Sequence, residues 1–91
     1  VESATMSTVL NKGEVCLAGS RLFLHQSIQD EFLAKFKTAL EGIRQGDPLD
    51  MATQLGAQAS KMQFDKVESY LRLATEEGAE VLTGGTRSDA A

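Results

Sequence analysis

Apolar side chains recur every three or four positions along two long stretches of the chain, and this period is typical of an amphipathic helix. In the stretch 27–44 the apolar face consists of Ile28, Phe32, Phe36, Ala39, Leu40 and Ile43. In the stretch 60–77 it consists of Phe64, Val67, Leu71 and Ala74. A shorter pattern near the start, made of Ala4, Met6, Val9 and Leu10, indicates a helix over 3–12. We therefore predict three helices covering about half of the residues, above the usual share of roughly a third.

Residues at both ends of the two long stretches fit helix termini. Ser27 is expected to cap the first helix, with two acidic residues in the turn that follows, and Gly46 is expected to end it. Ser60 and Gln63 have the spacing of a capping box at the start of the last helix, and Gly78 is expected to close it.

Two short apolar runs favour strands. They cover 20–25 and 79–83, and their length suits a buried strand better than a helix. A loop around 46–59, marked by Pro48, separates the two halves of the chain. The order helix, strand, helix, helix, strand predicts an α/β fold with parallel strands. Two strands alone are too few for a stable sheet, so the partner strands are expected to come from elsewhere.

The chain has 91 residues and a mass of 9.8 kDa, which suits one domain over 1–91. Nine basic residues stand against 13 acidic ones, giving a formal net charge of −4. Nucleic acid binding needs a basic face, and an anionic membrane surface also repels an acidic chain, so neither partner is expected. The single cysteine, Cys16, has no partner for an internal disulfide and suits a reducing cytoplasm.

The two apolar helix faces offer more surface than two short strands can cover. We therefore expect the chain to form a homodimer or a larger homo-oligomer. Nothing before Val1 caps the first predicted helix, which suggests that this element begins upstream. The tail at 86–91 shows no packing pattern.

Candidate chemistry concentrates in one segment between the first helix and the first predicted strand. Glycines bracket Cys16 there, so the thiol is expected in a turn where the backbone can approach a ligand closely. The backbone N–H of the cysteine could then face a developing oxyanion. The alternative is that Cys16 is a small buried hydrophobe. His25, the only histidine, lies across the predicted strand and is not expected to act as its base.

This segment resembles the active-site signature of the NAD(P)-dependent aldehyde dehydrogenases, in which Asn-x-Gly-(Gln or Glu)-x-Cys is followed by Ala-Gly-Ser-Arg. Here it reads Asn11-Lys12-Gly13-Glu14-Val15-Cys16-Leu17-Ala18-Gly19-Ser20-Arg21. The resemblance continues in the same order over nearly the whole chain, at 22–24, 27–32, 46–50, 53–56, 63–67 and 77–85. A colinear series of this kind is far more specific than any single motif.

The resemblance implies roles for individual residues. Cys16 matches the nucleophile, whose thiolate attacks the aldehyde carbon to give a thiohemiacetal. Hydride transfer to the nicotinamide then leaves a thioester, which water hydrolyses to the acid. Gln63 and Lys66 match positions that reach the cofactor ribose, although a capping residue and a solvated lysine are equally good interpretations. Asn11 and Glu14 match the motif and are expected to shape the turn. No metal site is expected.

The sequence also departs from the family. Lys12 stands where Gln is more frequent, and Ala57 stands where many members have proline. Family enzymes are several times longer. The resemblance places the dinucleotide-binding domain, the general-base glutamate and the oxyanion-hole asparagine upstream of this region, and a further cofactor-binding glutamate downstream of it.

Two hypotheses about function remain open at this point. The chain is part of an aldehyde dehydrogenase that oxidises aldehydes to carboxylic acids with NAD or NADP, and alone it binds no cofactor and is inactive. Alternatively, it is a non-catalytic α/β interaction module that associates with itself. A thiol-dependent esterase activity, resting on Cys16 alone, is a distant third.

Overall fold

The computed structural model describes residues 1–88. Three α-helices make up the fold: α1 spans Glu2–Val9, α2 spans Gln29–Glu41 and α3 spans Lys61–Glu76. Short 3-10 turns at Leu10–Gly13 and Gln26–Ile28 bring the helical share to about half of the described residues, as the sequence predicts. Within 1–88, no helix combines the length and the apolar character that crossing a bilayer requires.

The predicted α/β fold with parallel strands is wrong, because residues 1–88 contain helices and no strand. The segments 20–25 and 79–83 lie as coil and do not pair with each other. A strand is held by the hydrogen bonds of a neighbouring strand and by burial of one face. Neither is supplied here, since Phe23 is 90% exposed and Val81 is 51% exposed. The nearest approach to a ladder is one isolated parallel bridge between Gln45 and Leu55.

The helices form an open arrangement without a dry core. Helix α1 lies against α2, whereas α3 makes no comparable contact with another helix in the described part of the chain. No apolar residue of 1–88 is buried, and the one buried residue is Thr5, whose hydroxyl donates to the Val1 carbonyl. The rings of Phe32 and Phe36 pack along α2 with their centroids 5.8 Å apart. The helices therefore have the predicted apolar faces, but other parts of residues 1–88 cover these faces only partly.

The start of α2 differs from the prediction in which residue caps it. Ser27 lies inside the 3-10 turn, and the N-cap of α2 is Ile28. The imidazole Nδ1 of His25 accepts the Ser27 backbone N–H at 3.1 Å and lies 2.8 Å from the Ser27 hydroxyl. His25 is thus a capping residue rather than a strand end. The two predicted first-turn acids, Asp30 and Glu31, are confirmed and face the positive end of the helix.

Helix α2 ends at Glu41, with Gly42 as its C-cap, instead of continuing to Gly46. The backbone that follows α2 forms its hydrogen bonds with the loop at 46–59 instead. The Arg44 carbonyl accepts from the backbone N–H groups of Gln54 and Leu55, at 2.8 and 3.0 Å, and the Arg44 N–H donates to the Gln54 side chain. Because these groups are already paired, they are not free to extend the helix.

The predicted loop after α2 is confirmed. The Asp47 carboxylate accepts the Leu49 N–H at 2.8 Å, and the Asp50 carboxylate accepts the Ala52 N–H at 2.9 Å. Both are side-chain turns of the kind that aspartate favours.

Both ends of α3 follow the prediction. The Ser60 hydroxyl accepts the backbone N–H of Gln63 at 3.1 Å, which is half of the predicted capping box. Gly78 has φ +90°, a left-handed conformation that suits the end of a helix, and the next N–H, of Ala79, donates to the Ala74 carbonyl.

The last described segment returns to the helices. The Thr83 hydroxyl donates to the Glu41 carboxylate at 3.1 Å. The Arg87 guanidinium lies 5.4 Å from the centroid of the Phe64 ring, a cation–π contact. The sequence shows no packing pattern at 86–91, so this contact could not be predicted from it, and residues 89–91 lie outside the described residues.

Candidate thiol site

The thiol of Cys16 is free and exposed on the loop between α1 and α2. A turn closed by the Ala18 N–H, which donates to the Val15 carbonyl at 3.0 Å, carries the cysteine. Within residues 1–88 the thiol is therefore not buried as a small hydrophobe. A small electrophile can therefore reach the sulfur in this arrangement.

The backbone just before the thiol is left-handed over three successive residues. Asn11, Lys12 and Gly13 have φ values of +50°, +64° and +78°. Glycine adopts this conformation freely and asparagine tolerates it, whereas lysine does so at a steric cost. The turn is closed from within, since the Glu14 N–H donates to the Asn11 carbonyl at 3.0 Å and the Asn11 side-chain amide donates to the Glu14 carbonyl at 3.2 Å. Asn11 thus shapes the turn in the way expected.

Two hydrogen bonds tie this turn to the loop just before α3. The Gln58 Nε2 donates to the Lys12 carbonyl at 3.3 Å, and the Ala59 backbone N–H donates to the Glu14 Oε1 at 2.9 Å. Segments about 45 residues apart in sequence are thereby held together. Gln58 Oε1 is buried without a hydrogen-bond partner among the described residues.

The backbone after the thiol is fixed against α1. The Gly19 N–H donates to the Ser7 carbonyl at 2.9 Å, and the Gly19 carbonyl accepts from the Thr8 hydroxyl at 3.4 Å. A Cβ added at Gly19 would overlap the Ser7 hydroxyl oxygen and lie 3.3 Å from the Ser7 Cβ. A larger residue at this position would therefore force the Ser7 side chain to move.

Gln63 and Lys66 lie one turn apart on α3. Both line a shallow groove of about 350 Å³, together with Val67, Tyr70 and Leu71. They therefore share a helix face as their spacing predicts, and Gln63 is half-buried while Lys66 is exposed. Cys16 lines neither this groove nor the second one on the molecule, so the structure does not bring the thiol and these two residues into one cavity.

The second groove, of about 320 Å³, lies where α3 meets the loop after α2 and the last described segment. Phe64, Val67 and Leu71 give it an apolar wall, and Arg87 gives it a charged edge. It contains none of the residues expected to act in chemistry.

Two charged residues in the first turns of α3 form an ion pair with each other. The Lys61 ammonium binds the Asp65 carboxylate at 2.8 Å. This hydrogen bond, and then the attraction of the same carboxylate, raises the pKa of Lys61 above its usual value. Desolvation opposes the effect, and Glu68 adds to it. Both partners are largely exposed, so the pair is a surface feature.

The structure adds two groups that sequence reasoning missed, the Gln58 side chain and the Ala59 N–H. No local spacing signals them, because their partners stand in another part of the chain. The sequence shows only that Gln58 lies two residues before Ser60, the N-cap of α3.

Comparison with known proteins gives the site its context. The aldehyde dehydrogenase family model matches residues 1–91. The chain is 50% identical over 80 residues to an EPTC-inducible aldehyde dehydrogenase of Rhodococcus erythropolis, covering 88% of this chain and 16% of that protein. It is 45% identical over 85 residues to an aldehyde dehydrogenase of Vibrio cholerae, covering 93% of this chain and 17% of that protein.

The chain thus spans about one sixth of the length of the curated relatives that it matches. The family model nevertheless covers it from end to end, including the turn at 11–19 that carries Cys16 (the thiol turn), the loop at 46–59 and α3. The chain belongs to the aldehyde dehydrogenase family.

Proposed function

We propose that Cys16 is the nucleophile of an enzyme that oxidises an aldehyde to a carboxylic acid with NAD or NADP. The observation that carries the proposal is an exposed thiol on a turn that is fixed on both sides. Hydrogen bonds of Glu14 and Gln58 fix the backbone before Cys16, and a hydrogen bond of Gly19 fixes the backbone after it. An accessible nucleophile on an ordered backbone is what covalent addition to a carbonyl requires.

In the proposed reaction the Cys16 thiolate adds to the aldehyde carbon. A base first removes the thiol proton, and the new C–S bond then forms as the carbonyl π electrons move to oxygen. The backbone N–H of Cys16 is a candidate donor for the resulting oxyanion. When the oxyanion collapses, the former aldehyde hydrogen leaves as hydride, for which a bound NAD or NADP would be the acceptor. The acyl group then stays on sulfur as a thioester, and water releases the acid and the free thiol.

The residues on α3 fit the ribose part of a dinucleotide. The Lys66 ammonium offers donors, and the Gln63 amide offers both a donor and an acceptor, on one face of the helix. Ribose hydroxyls accept and donate in the same way. NAD or NADP, when bound, supplies the acceptor for the aldehyde hydride. We propose that Gln63 and Lys66 hold and orient the ribose.

The complete reaction also needs a general base for hydrolysis and a second oxyanion donor. The family resemblance assigns these to a glutamate and an asparagine outside the matched region. We therefore expect the isolated 91-residue chain to bind no dinucleotide tightly and to give no NADH at enzymatic rates. NADH formation by that chain, abolished by Cys16→Ser, would contradict this expectation.

The test of the proposed function uses the full polypeptide that carries residues 1–91. We expect it to reduce NAD or NADP in the presence of an aldehyde, and Cys16→Ser to remove this activity while leaving the fold intact. Ser3→Ala, a change of similar size at an exposed serine of α1 outside the signature, is the control. Undiminished activity of the Cys16→Ser variant would overturn the proposal.

A second candidate is a self-associating module without catalysis. It is favoured by one observation, the absence of any buried apolar residue in 1–88. Molecular size in solution, measured together with NAD binding and aldehyde turnover, separates the two. A homo-oligomer with neither binding nor turnover, in the full polypeptide, would favour the module.

A further inference from the structure

The turn that precedes the thiol needs support from outside itself. Its three left-handed residues include Lys12, for which this backbone conformation is unfavourable. The internal hydrogen bonds of Asn11 close the turn but do not fix its position relative to the rest of the molecule. Contacts with another segment must therefore decide where the turn, and with it the cysteine, is held.

The loop before α3 supplies those contacts on both sides of Gly13. Gln58 binds the carbonyl of Lys12, and the Ala59 N–H binds the carboxylate of Glu14. The second contact is the shorter, at 2.9 Å against 3.3 Å, and it involves a charged acceptor, which makes a backbone hydrogen bond stronger. Glu14 is also the closer of the two anchored residues to the thiol, standing two positions before it.

We propose that Glu14 is a positioning residue for Cys16, acting through its hydrogen bond with the Ala59 N–H. The inference rests on the proposed function, in which Cys16 is the nucleophile. Ala59 directly precedes Ser60, the cap of α3, so the contact fixes the cysteine loop against the start of the helix that carries Gln63 and Lys66. This contact thereby fixes the position of the thiol turn relative to the proposed ribose-binding helix.

Glu14 forms no ion pair within residues 1–88, and its carboxylate accepts the Ala59 N–H. Its value lies in the acceptor oxygen. A glutamine would retain that oxygen without the charge, and the family signature accepts either residue at this position.

The experiment compares three variants of the full polypeptide that carries residues 1–91. Glu14→Ala removes the acceptor, Glu14→Gln keeps it without the charge, and Glu80→Ala is the matched control at an exposed glutamate. Measurements are kcat and KM for the aldehyde, and hydrogen exchange at residue 59 and across 12–16.

We expect Glu14→Ala to lower kcat roughly 10- to 100-fold with KM within about twofold, because a displacement of about 1 Å at a reacting group has effects of this size. Exchange at residue 59 should rise in the same variant. Glu14→Gln should keep most of kcat and the protection at residue 59, and Glu80→Ala should match the unchanged protein.

An unchanged kcat in Glu14→Ala would overturn the proposal. So would a Glu14→Gln variant as slow as Glu14→Ala, since the charge and not the hydrogen bond would then matter. If Glu14→Ala does not fold, Glu14→Gln and Gln58→Ala decide. The proposal then requires near-normal kcat and protection at residue 59 in Glu14→Gln, and a kcat below that of the unchanged protein in Gln58→Ala. Any other pair of results refutes it.

Failure of the proposed function is recognised separately. It would appear as full activity in Cys16→Ser, whereas exchange at residue 59 reports the Glu14 contact without aldehyde or cofactor.

Discussion

The thiol turn at 11–19 contains two glycines and the segment at 79–83 lies between two glycines, yet the chain holds them very differently. In the turn, backbone groups before and after Cys16 have specific partners on α1 and on the loop before α3. In the other segment, the Ala79 N–H closes α3 and the Thr83 side chain binds Glu41. Between them, no backbone hydrogen bond joins 80–82 to another part of residues 1–88.

The difference follows from what each structure requires. A turn or a cap needs one or two partners, and a short chain supplies them. A strand needs a whole neighbouring strand, which the described residues do not contain. The same reason applies to 20–25, where Phe23 projects into solvent. The predictions that follow test whether hydrogen-bonding partners, rather than intrinsic backbone preference, explain the difference between the two regions.

The largest expected effect is association of the 91-residue chain. Apolar residues on α2 and α3 lie half-exposed, among them Phe64, Val67 and Leu71. Each such side chain contributes about 1.5–3 kcal/mol when fully buried, so leaving two or three in water removes much of the roughly 5 kcal/mol that stabilises a small domain. We expect a dimer or larger assembly at micromolar concentration, measured by sedimentation or light scattering.

Association should also order the segments that lack partners. We expect amide protection at 20–25 and 79–83 to increase with protein concentration, while protection in the thiol turn stays constant. A monomer that melts sharply at every concentration would contradict both statements.

The next effect concerns Gly19, which keeps the thiol loop against α1. We expect Gly19→Ala to lower the free energy of unfolding by about 1–3 kcal/mol, the usual cost of overpacking, because its Cβ would overlap the Ser7 hydroxyl. Chemical unfolding at one fixed protein concentration measures the loss. Gly56→Ala is the control, since a Cβ there meets open space.

Removal of the Ser7 hydroxyl provides a second check. In the Ser7→Ala background, Gly19→Ala should cost clearly less. An equal cost in both backgrounds would mean that the loop is not held by this close approach.

Local rules at single positions predicted much of the secondary structure. Ser60 and Gly78 end α3 where their spacing indicated, and Asp47 forms its turn. Prediction failed at two helix ends where another group intervened. His25 caps a 3-10 turn that contains Ser27, so Ser27 does not cap α2, and the loop returning to Arg44 stops α2 before Gly46.

The site was predictable to the same extent. Cys16 and the common face of Gln63 and Lys66 can be found from the sequence, because a motif and a helical period mark them. The pairing of Glu14 with Ala59 has no such mark, since a backbone N–H leaves no trace in sequence.

The cap of α3 offers a smaller test of the anchored region. Ser60→Ala should cost about 0.5–2 kcal/mol of unfolding free energy, because the Gln63 N–H loses its acceptor. Ser60→Asp should restore most of it, and Ser3→Ala, at an exposed serine within α1, should change little. An equal loss in Ser60→Ala and Ser60→Asp would show that the hydroxyl acts in some other way.

The contact of Arg87 with Phe64 tests whether the last segment has any anchor of its own. We expect Arg87→Gln to cost about 0.5–1 kcal/mol, the range for an exposed cation–π contact. Arg87→Lys should retain part of it, and Arg72→Gln is the control. The effect should vanish in the Phe64→Leu background, and persistence there would assign it to another contact.

The smallest effect belongs to the Lys61–Asp65 pair on the surface of α3. Hydrogen bonding with Asp65 raises the pKa of Lys61, so the folded state holds this proton more tightly than the unfolded state. The contribution to stability is therefore fully present below the unfolded pKa of about 10.4 and is lost as pH rises through the higher folded value. Unfolding measured from pH 8 to about pH 11 should show this loss in the unchanged chain and not in Asp65→Asn. Added salt should shrink the difference between the two chains, because both partners are exposed. A salt-independent difference would mean that the pair acts through packing of the lysine stem rather than through charge.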